Sequence, residues 1–446
     1  MRGPAFIPPG DHPGRMHDAP PGVSAAPRSV LAVPAFRALF GSQVTSSLGA
    51  AISAVSVNWL VYHVTGSALD IAYVGLAGIV PGIVLGLLAG VVADRYNRRR
   101  LMITADVARL LAMGGLAAFL AVVGFALWFI IAVLVVVYSF SAMFTPAAQA
   151  IVPRLVSRSA LEEANSLLIA STQLAQLFGA AAGGLIIAFA GAIAGIGINA
   201  VTFAVSAALL VQIAAAAGTP VDPGLSRPPS FFAQLREGLA YMRTHLPILE
   251  ITLGFLPANF LITIVASFLV VFTGARFGPD PTAFGFLLAA LSGGGVAGAL
   301  LVGRWRPRAI AGLVMIAFLL LGGGAVFLLA AAPDLVVSLL AGALIGVSIG
   351  GITTVYLSTM QAIVPNEILA RVLSIDSVGS LASIPGGLIA GGLLIARYGV
   401  TDAFFVAAVG LTANGLAMLG LRDVRTLGVP PASEGPHGPA VDGKPQ

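Results

Sequence analysis

The sequence predicts an all-α membrane protein that crosses the bilayer twelve times, as two related six-helix bundles. Three observations carry this. Apolar residues make up 58% of the 446 and charged ones only 9%, with a mean hydropathy of +0.99, far outside the range of a water-soluble domain. The apolar residues gather into twelve runs, each long enough for the roughly 20-residue helix that spans a hydrocarbon core. Gln149-Ala150-Ile151-Val152-Pro153 recurs as Gln361-Ala362-Ile363-Val364-Pro365, each time after the fourth run of its half, which marks a duplicated unit.

Taken in order, residues 1–34 are rich in Pro and Gly and hold no apolar segment suited to a signal peptide, so a disordered tail is expected. Lipid offers no partner to an open backbone group, so each run that follows has to be a helix. The first six spans fall near residues 36–62, 70–93, 101–123, 127–149, 165–190 and 193–216. The second six fall near 248–273, 282–303, 309–331, 334–362, 373–396 and 401–421. The halves are thus 35–216 and 248–422, joined by a polar linker over 217–247 and followed by a second tail over 423–446. Within the linker, Phe232, Leu235, Leu239 and Met242 recur at helical spacing with charges opposite. A helix lying on the membrane surface is expected there, with a plain solvated linker as the alternative.

Charge sets the orientation. A net charge of +5 and a pI near 10.0 would suggest a nucleic-acid partner in a soluble chain, but here the arginines sit in short loops and report topology instead. Arg95, Arg98, Arg99, Arg100, Arg154, Arg158, Arg227, Arg236, Arg243, Arg304, Arg306, Arg308 and Arg371 share one side, against Arg276 and Arg397 on the other. Short basic loops resist translocation, so both termini are expected in the cytoplasm of a bacterial cell, the chain lying in its inner membrane. Cysteine is absent, which excludes disulfides and thiolate chemistry. No His or carboxylate cluster has catalytic or metal-ligand spacing, so no enzyme, cofactor or metal site is expected. Runs such as Gly293-Gly294-Gly295 lack the strand, Lys and hydroxyl of a phosphate loop and read as helix packing.

The turn between the second and third spans, Gly90-Val91-Val92-Ala93-Asp94-Arg95-Tyr96-Asn97-Arg98-Arg99-Arg100, is the most informative stretch. Gly90 lets two helices approach, and Asp94 places an anion where helix ends and arginines converge. With twelve spans and a basic middle linker, it resembles the signature of the major facilitator superfamily, Gly-x-Leu-Ala-Asp-Arg-x-Gly-Arg-(Arg/Lys). Gly90, Ala93, Asp94, Arg95, Arg98 and Arg99 match, Val92 replaces Leu, and Asn97 replaces a Gly whose left-handed backbone Asn tolerates. The resemblance implies a cytoplasmic latch in which Asp94 pairs with Arg154 or Arg158 and faces the eleventh span near Arg371; the alternative is a topology anchor alone. The second-half turn, Gly303 to Arg308, keeps the charge and has no Asp.

Further motifs resemble the macrolide- and siderophore-exporting branch of that superfamily. They are Phe144-Thr145-Pro146-Ala147, Leu161-Glu162-Glu163-Ala164-Asn165, Thr65-Gly66-Ser67, and Val364-Pro365 followed by Ala370-Arg371-Val372. The fourth span lacks the membrane Arg of many proton-coupled antiporters. The fifth has Gly179, Gly183 and Gly184 without the expected Pro, so close packing is expected there, while Pro385 and Gly386 suit a bend or sliding surface in the eleventh.

Charges inside spans are few. Asp106 and Arg109, at i and i+3, are expected to pair, either as a structural salt bridge or as a proton-responsive pair. Glu250 and Asp376 read equally as interfacial or coupling groups. Neutral polar residues within spans serve interhelical hydrogen bonding or a cavity wall, and the resemblance singles out Gln43, Asn58, Asn259 and Tyr356 for the cavity. The implied activity is export of an amphipathic small molecule, with protons and the bilayer as the other partners. Siderophore export and a non-transporting role on the same fold are the alternatives.

Overall fold

The computed structural model describes residues 29–214 and 231–428, with side chains throughout except at residues 86–95, 231–235, 308, 366 and 367. The first six spans are α1 (Pro34–Thr65), α2 (Ala68–Arg95), α3 (Arg98–Val122), α4 (Leu127–Leu155), α5 (Leu161–Ala190) and α6 (Ala192–Val211). The linker contributes α7 (Phe231–Thr244). The second six are α8 (Leu246–Ser267) continued by α9 (Leu269–Phe277), α10 (Pro281–Trp305), α11 (Ala311–Ala331), α12 (Leu335–Ile363), α13 (Asn366–Tyr398) and α14 (Val400–Gly420), with a last turn α15 (Arg422–Arg425). Twelve of the described helices are long and apolar enough to cross a membrane.

Local chemistry sets the ends. Asp280 caps α10 by accepting from the N–H groups of Thr282 and Ala283 at 2.8 and 3.4 Å, and Asp334 caps α12 through Val337 N–H at 2.9 Å. The Thr282 hydroxyl, with those N–H groups, holds the Asp280 carboxyl below its usual range. Gly191 and Gly399 turn the chain between α5 and α6 and between α13 and α14, at φ of 80° and 87°. A positive φ at matching points of the two halves is backbone evidence for the duplication.

Packing repeats in the same way. Within the first half α1 packs on α5 and α6, α2 on α4, and α3 on α4 and α6. Within the second, α8 packs on α13 and α14, α10 on α12, and α11 on α12 and α14. Span for span the pattern is the same, so the fold is two pseudo-symmetric six-helix bundles.

Several boundaries depart from expectation. The seventh span is not one helix over 248–273: it breaks at Phe268, whose buried ring lies against Gly391 of α13, where a β-carbon would come within 2.6 Å of it. The sixth ends at Val211 instead of 216 because Arg99 closes it, donating from Nε to Leu210 O at 3.1 Å and from Nη2 to Val211 O at 2.7 Å. Helix C-termini leave such carbonyls open and favour a cation there. Residues 29–34, placed by sequence in the tail, are ordered: Val30 is buried and its N–H donates to Glu163 Oε1 at 3.3 Å. Residues 423–428 likewise dock, with Val424 buried and Leu427 O accepting from Gly312 N–H at 3.1 Å. The remainder of both tails and of the linker lies outside the described residues.

Candidate functional site

Among the described residues the two halves meet chiefly where α5 packs on α10 and α2 on α13, with smaller contacts from α1 to α9, and the close approaches lie away from the basic turns. Gly274 of α9 lies against the Tyr62 ring of α1. Gly392 of α13 lies where a β-carbon would be 3.1 Å from Leu69 and 3.3 Å from Ala72 of α2. Gly184 of α5 meets α10, where a β-carbon would stand 2.7 Å from Pro281 O and 3.0 Å from Gly285 Cα. Small residues allow this backbone approach without a side chain between.

Towards the basic end a cavity of ≈700 Å³ opens, lined by α1, α4 and α5 with Arg109 of α3. Its wall mixes neutral polar groups, among them Gln43, Ser46, Ser47, Gln149, Asn165 and Gln173, with Phe144, Val152, Leu168 and Ile169. Thr145, Gln149, Asn165 and Gln173 are exposed, so the cavity is open. With the far end closed by contacts between the halves, the molecule stands open towards its basic end.

Among the described residues Arg109 is the one charged side chain on that wall. It pairs with Asp106, as the i, i+3 spacing predicts. Arg109 Nη1 donates to Ser141 Oγ of α4 at 3.3 Å and Nε to Ala105 O at 3.3 Å. Its guanidinium lies 4.6 Å from the Phe144 ring centre and 4.5 Å from that of Phe203. Asp106 is fully buried and accepts from Ser206 Oγ of α6 at 2.7 Å. The pair therefore ties α3, α4 and α6 together, and its net charge on the wall is zero. Ser141, Phe144, Phe203 and Ser206 were missed as its partners, because they come from other helices.

A second cavity of ≈250 Å³ lies farther from the basic end, between α1, α2, α3, α4 and α6, lined by Asn58, Tyr138 and Asn199 among apolar residues. Ala50 borders both cavities, and Phe203 stands between Arg109 and the second. Of the four residues expected on a cavity wall, Gln43 lines the first and Asn58 the second. Asn259 instead donates to Ser380 Oγ of α13 at 2.9 Å, and Tyr356 is buried against Phe255, its hydroxyl 3.5 Å from that of Thr252 of α8. These two hold the second half together; neither lines the large cavity.

The other expected residues are distributed as follows. Gly90, Asp94 and Arg95 lie on α2 where side chains are outside the description. Arg98 is buried, Arg154 half-buried in the last turn of α4, and Arg158 exposed in the short turn after it. Arg99 caps α6, and Arg371 pairs with Glu237 of α7, so these two are engaged outside the expected latch. Gly238, beside that ion pair, packs on the Arg371 backbone, where a β-carbon would be 2.9 Å from its carbonyl oxygen. Because Glu237 and Arg371 are 51% and 28% exposed, Glu237→Gln is expected to cost under about 1 kcal/mol, a shift in melting temperature of at most a few degrees by thermal unfolding in detergent. Glu250 has a buried Oε2 without a hydrogen-bond partner among the described residues. Gly179 and Gly183 pack on α1, against Leu48 O and Ile52 Cα at 3.0 and 3.3 Å from a β-carbon, and Gly386 packs near Phe260 of α8. Helix α13 runs unbroken through Pro385.

Comparisons with known proteins agree with this architecture. Residues 25–432 match the family model described as "Transmembrane secretion effector". The chain is 30% identical over 397 residues to the multidrug efflux pump Tap of Mycolicibacterium fortuitum, covering 86% of this chain and 95% of that one. It is 25% identical over 406 residues to macrolide efflux protein A of Streptococcus pyogenes, covering 88% and 97%. Among solved structures, that of the nucleoside transporter NupG superposes with a TM-score of 0.69 at 14% identity, over 86% of this chain and all of that one, a likeness of fold. From its matching turn, its doubled six-helix fold and these relatives, the chain belongs to the transmembrane secretion effectors, a family of the major facilitator superfamily of membrane transporters.

Proposed function

We propose that the chain exports amphipathic small organic molecules, drugs or secondary metabolites, by alternating access. The observation that carries the reading is the open cavity of ≈700 Å³, whose wall mixes amide, hydroxyl and apolar groups and whose one cation is neutralised by Asp106. A cavity of this size and balance suits drug-sized, weakly polar cargo better than a sugar or a phosphate. The names of the relatives, an efflux pump for many drugs and a macrolide exporter, point the same way. In this reading the basic loops face the cytoplasm, as short Arg-rich loops favour, with the open end and both termini on that side, so cargo enters from within the cell.

In this reading the two bundles are the moving bodies, and α7 travels with the second through Glu237, Gly238 and Arg371. Contacts at the far end break as those at the basic end form, with Asp94 latching the basic end. In the same reading proton exchange supplies the energy, with Glu250 and Asp376, the carboxylates inside spans of the second half, as its candidates. Asp106, held by Arg109 and Ser206, is structural.

The test is accumulation of a fluorescent amphipathic dye in cells. Wild type is expected to lower it, a protonophore to abolish that, and Asp94→Asn to impair it at equal expression. Unchanged accumulation across a panel of dyes and antibiotics rules out broad drug export.

A further inference from the structure

At the basic end of the second half, the ends of α10 and α12 and the start of α11 enclose another cavity, of ≈300 Å³. On its wall stand Arg306 and the hydroxyl residues Thr354, Ser358 and Thr359, with no carboxylate among the lining residues. Arg306 closes α10 with a left-handed backbone, φ 50° and ψ 59°, the one described non-glycine residue with positive φ. L side chains rarely adopt that conformation. Its side chain makes no ion pair among the described residues, and its hydrogen bond to Gly303 O is long, at 3.4 Å.

The contrast with the first half is informative. The turn after the second span carries its own anion, Asp94, among the arginines, whereas the turn after the eighth carries Arg304, Arg306 and Arg308 and no acid. A cation facing a recess with no counter-ion among the described residues draws an anion from outside the chain. The hydroxyls of Thr354 and Ser358 donate to carbonyls of their own helix, Gly350 O at 2.8 Å and Val355 O at 3.0 Å. Carbonyls inside a helix already have an N–H partner, so these hydroxyls are free to rotate towards a ligand oxygen.

Exposed apolar residues lie on the same helix ends. Leu300 and Leu301 of α10 are 69% and 53% exposed, and Leu313 of α11 is 40% exposed. Beside the mouth, Trp305 is exposed in the last turn of α10, a position that suits the headgroup layer. Basic recesses between spans on this side of a membrane suit phospholipid headgroups. We propose that this cavity binds a phosphate anion, that of an anionic phospholipid, with Arg306 as counter-ion, Thr354 and Ser358 as donors, and the acyl chains along Leu300, Leu301 and Leu313. The proposal is independent of the export reading.

The test uses the full chain purified in detergent, with thermal unfolding and native mass spectrometry after adding phosphatidylglycerol, phosphatidylcholine or inorganic phosphate. Wild type is expected to retain phosphatidylglycerol and to melt higher with it than with phosphatidylcholine. Arg306→Gln is expected to weaken that binding about tenfold or more, the scale of losing a charge-assisted hydrogen bond. Ser358→Ala, which leaves the turn untouched, should reduce it by a smaller factor. Arg304→Gln, exposed on the same turn but off the cavity wall, should bind as wild type. Stabilisation by phosphatidylglycerol alone supports the lipid as source; equal stabilisation by inorganic phosphate keeps the anion site and assigns it to free phosphate. Equal losses in Arg306→Gln and Arg304→Gln, or no loss in Arg306→Gln, overturn the site.

Discussion

Asp106→Leu is expected to cost about 3–5 kcal/mol of stability, because it strands a cation inside the bundle. Arg109 is 5% exposed, and without Asp106 its guanidinium keeps only the Ala105 carbonyl, the Ser141 hydroxyl and the faces of Phe144 and Phe203. Ring faces contribute about 0.5–2 kcal/mol to a cation, too little to replace a buried carboxylate. The double variant Asp106→Leu with Arg109→Leu removes both charges and is expected to recover most of the loss, as apolar replacements of buried pairs do. Thermal unfolding of the three proteins in detergent checks this; an Asp106→Leu protein that melts like wild type shows the pair to be dispensable for the fold. The double variant also separates structure from transport. If it folds and still lowers dye accumulation, Arg109 is not needed for cargo.

Gly184→Val is expected to abolish export while leaving a folded protein in the membrane. The new side chain would meet backbone atoms of Pro281 and Gly285, which cannot turn aside as a flexible side chain would. Overpacking of this kind costs about 1–3 kcal/mol. Here the cost falls on the one state in which the halves meet at this end, so the balance between states shifts by about 5- to 150-fold. Gly179→Val is the contrast, since its clash with Leu48 and Ala51 lies within the first half and burdens every state. A cysteine reporter reads the difference cleanly in a chain that has no cysteine of its own. Tyr62→Cys, at the α1–α9 contact of the same end, should label faster with a membrane-impermeant thiol reagent when Gly184→Val is present. Unchanged labelling and unchanged export would show that Gly184 does not control closure.

Much of this was legible in the chain. The twelve spans could be read because each is a long apolar run, and in lipid such a run has no alternative to a helix. The Asp106–Arg109 pair could be read because both residues lie on one helix, three apart. The cavity left a fainter signal: Gln43, Ser46, Ser47 and Ala50 on α1, Ser141, Thr145 and Gln149 on α4, and Asn165, Thr172 and Gln173 on α5 form stripes at helical spacing. An isolated amide or phenol in a span is the weaker sign of a cavity, and Asn259 and Tyr356 join α8, α12 and α13.

By itself the sequence determined what each helix is: where it runs, which end is basic, which residues are small or polar, and that the unit is doubled. Only the tertiary structure decided what each residue meets. That Arg99 closes α6, that Arg371 holds α7, that Gly184 faces the other half while Gly183 faces its own, and that Arg306 overlooks a recess with no carboxylate among its described lining residues are facts about pairs of elements distant in the chain. Periodicity and charge are properties of one helix, whereas a partner is chosen by how the faces of several helices pack together.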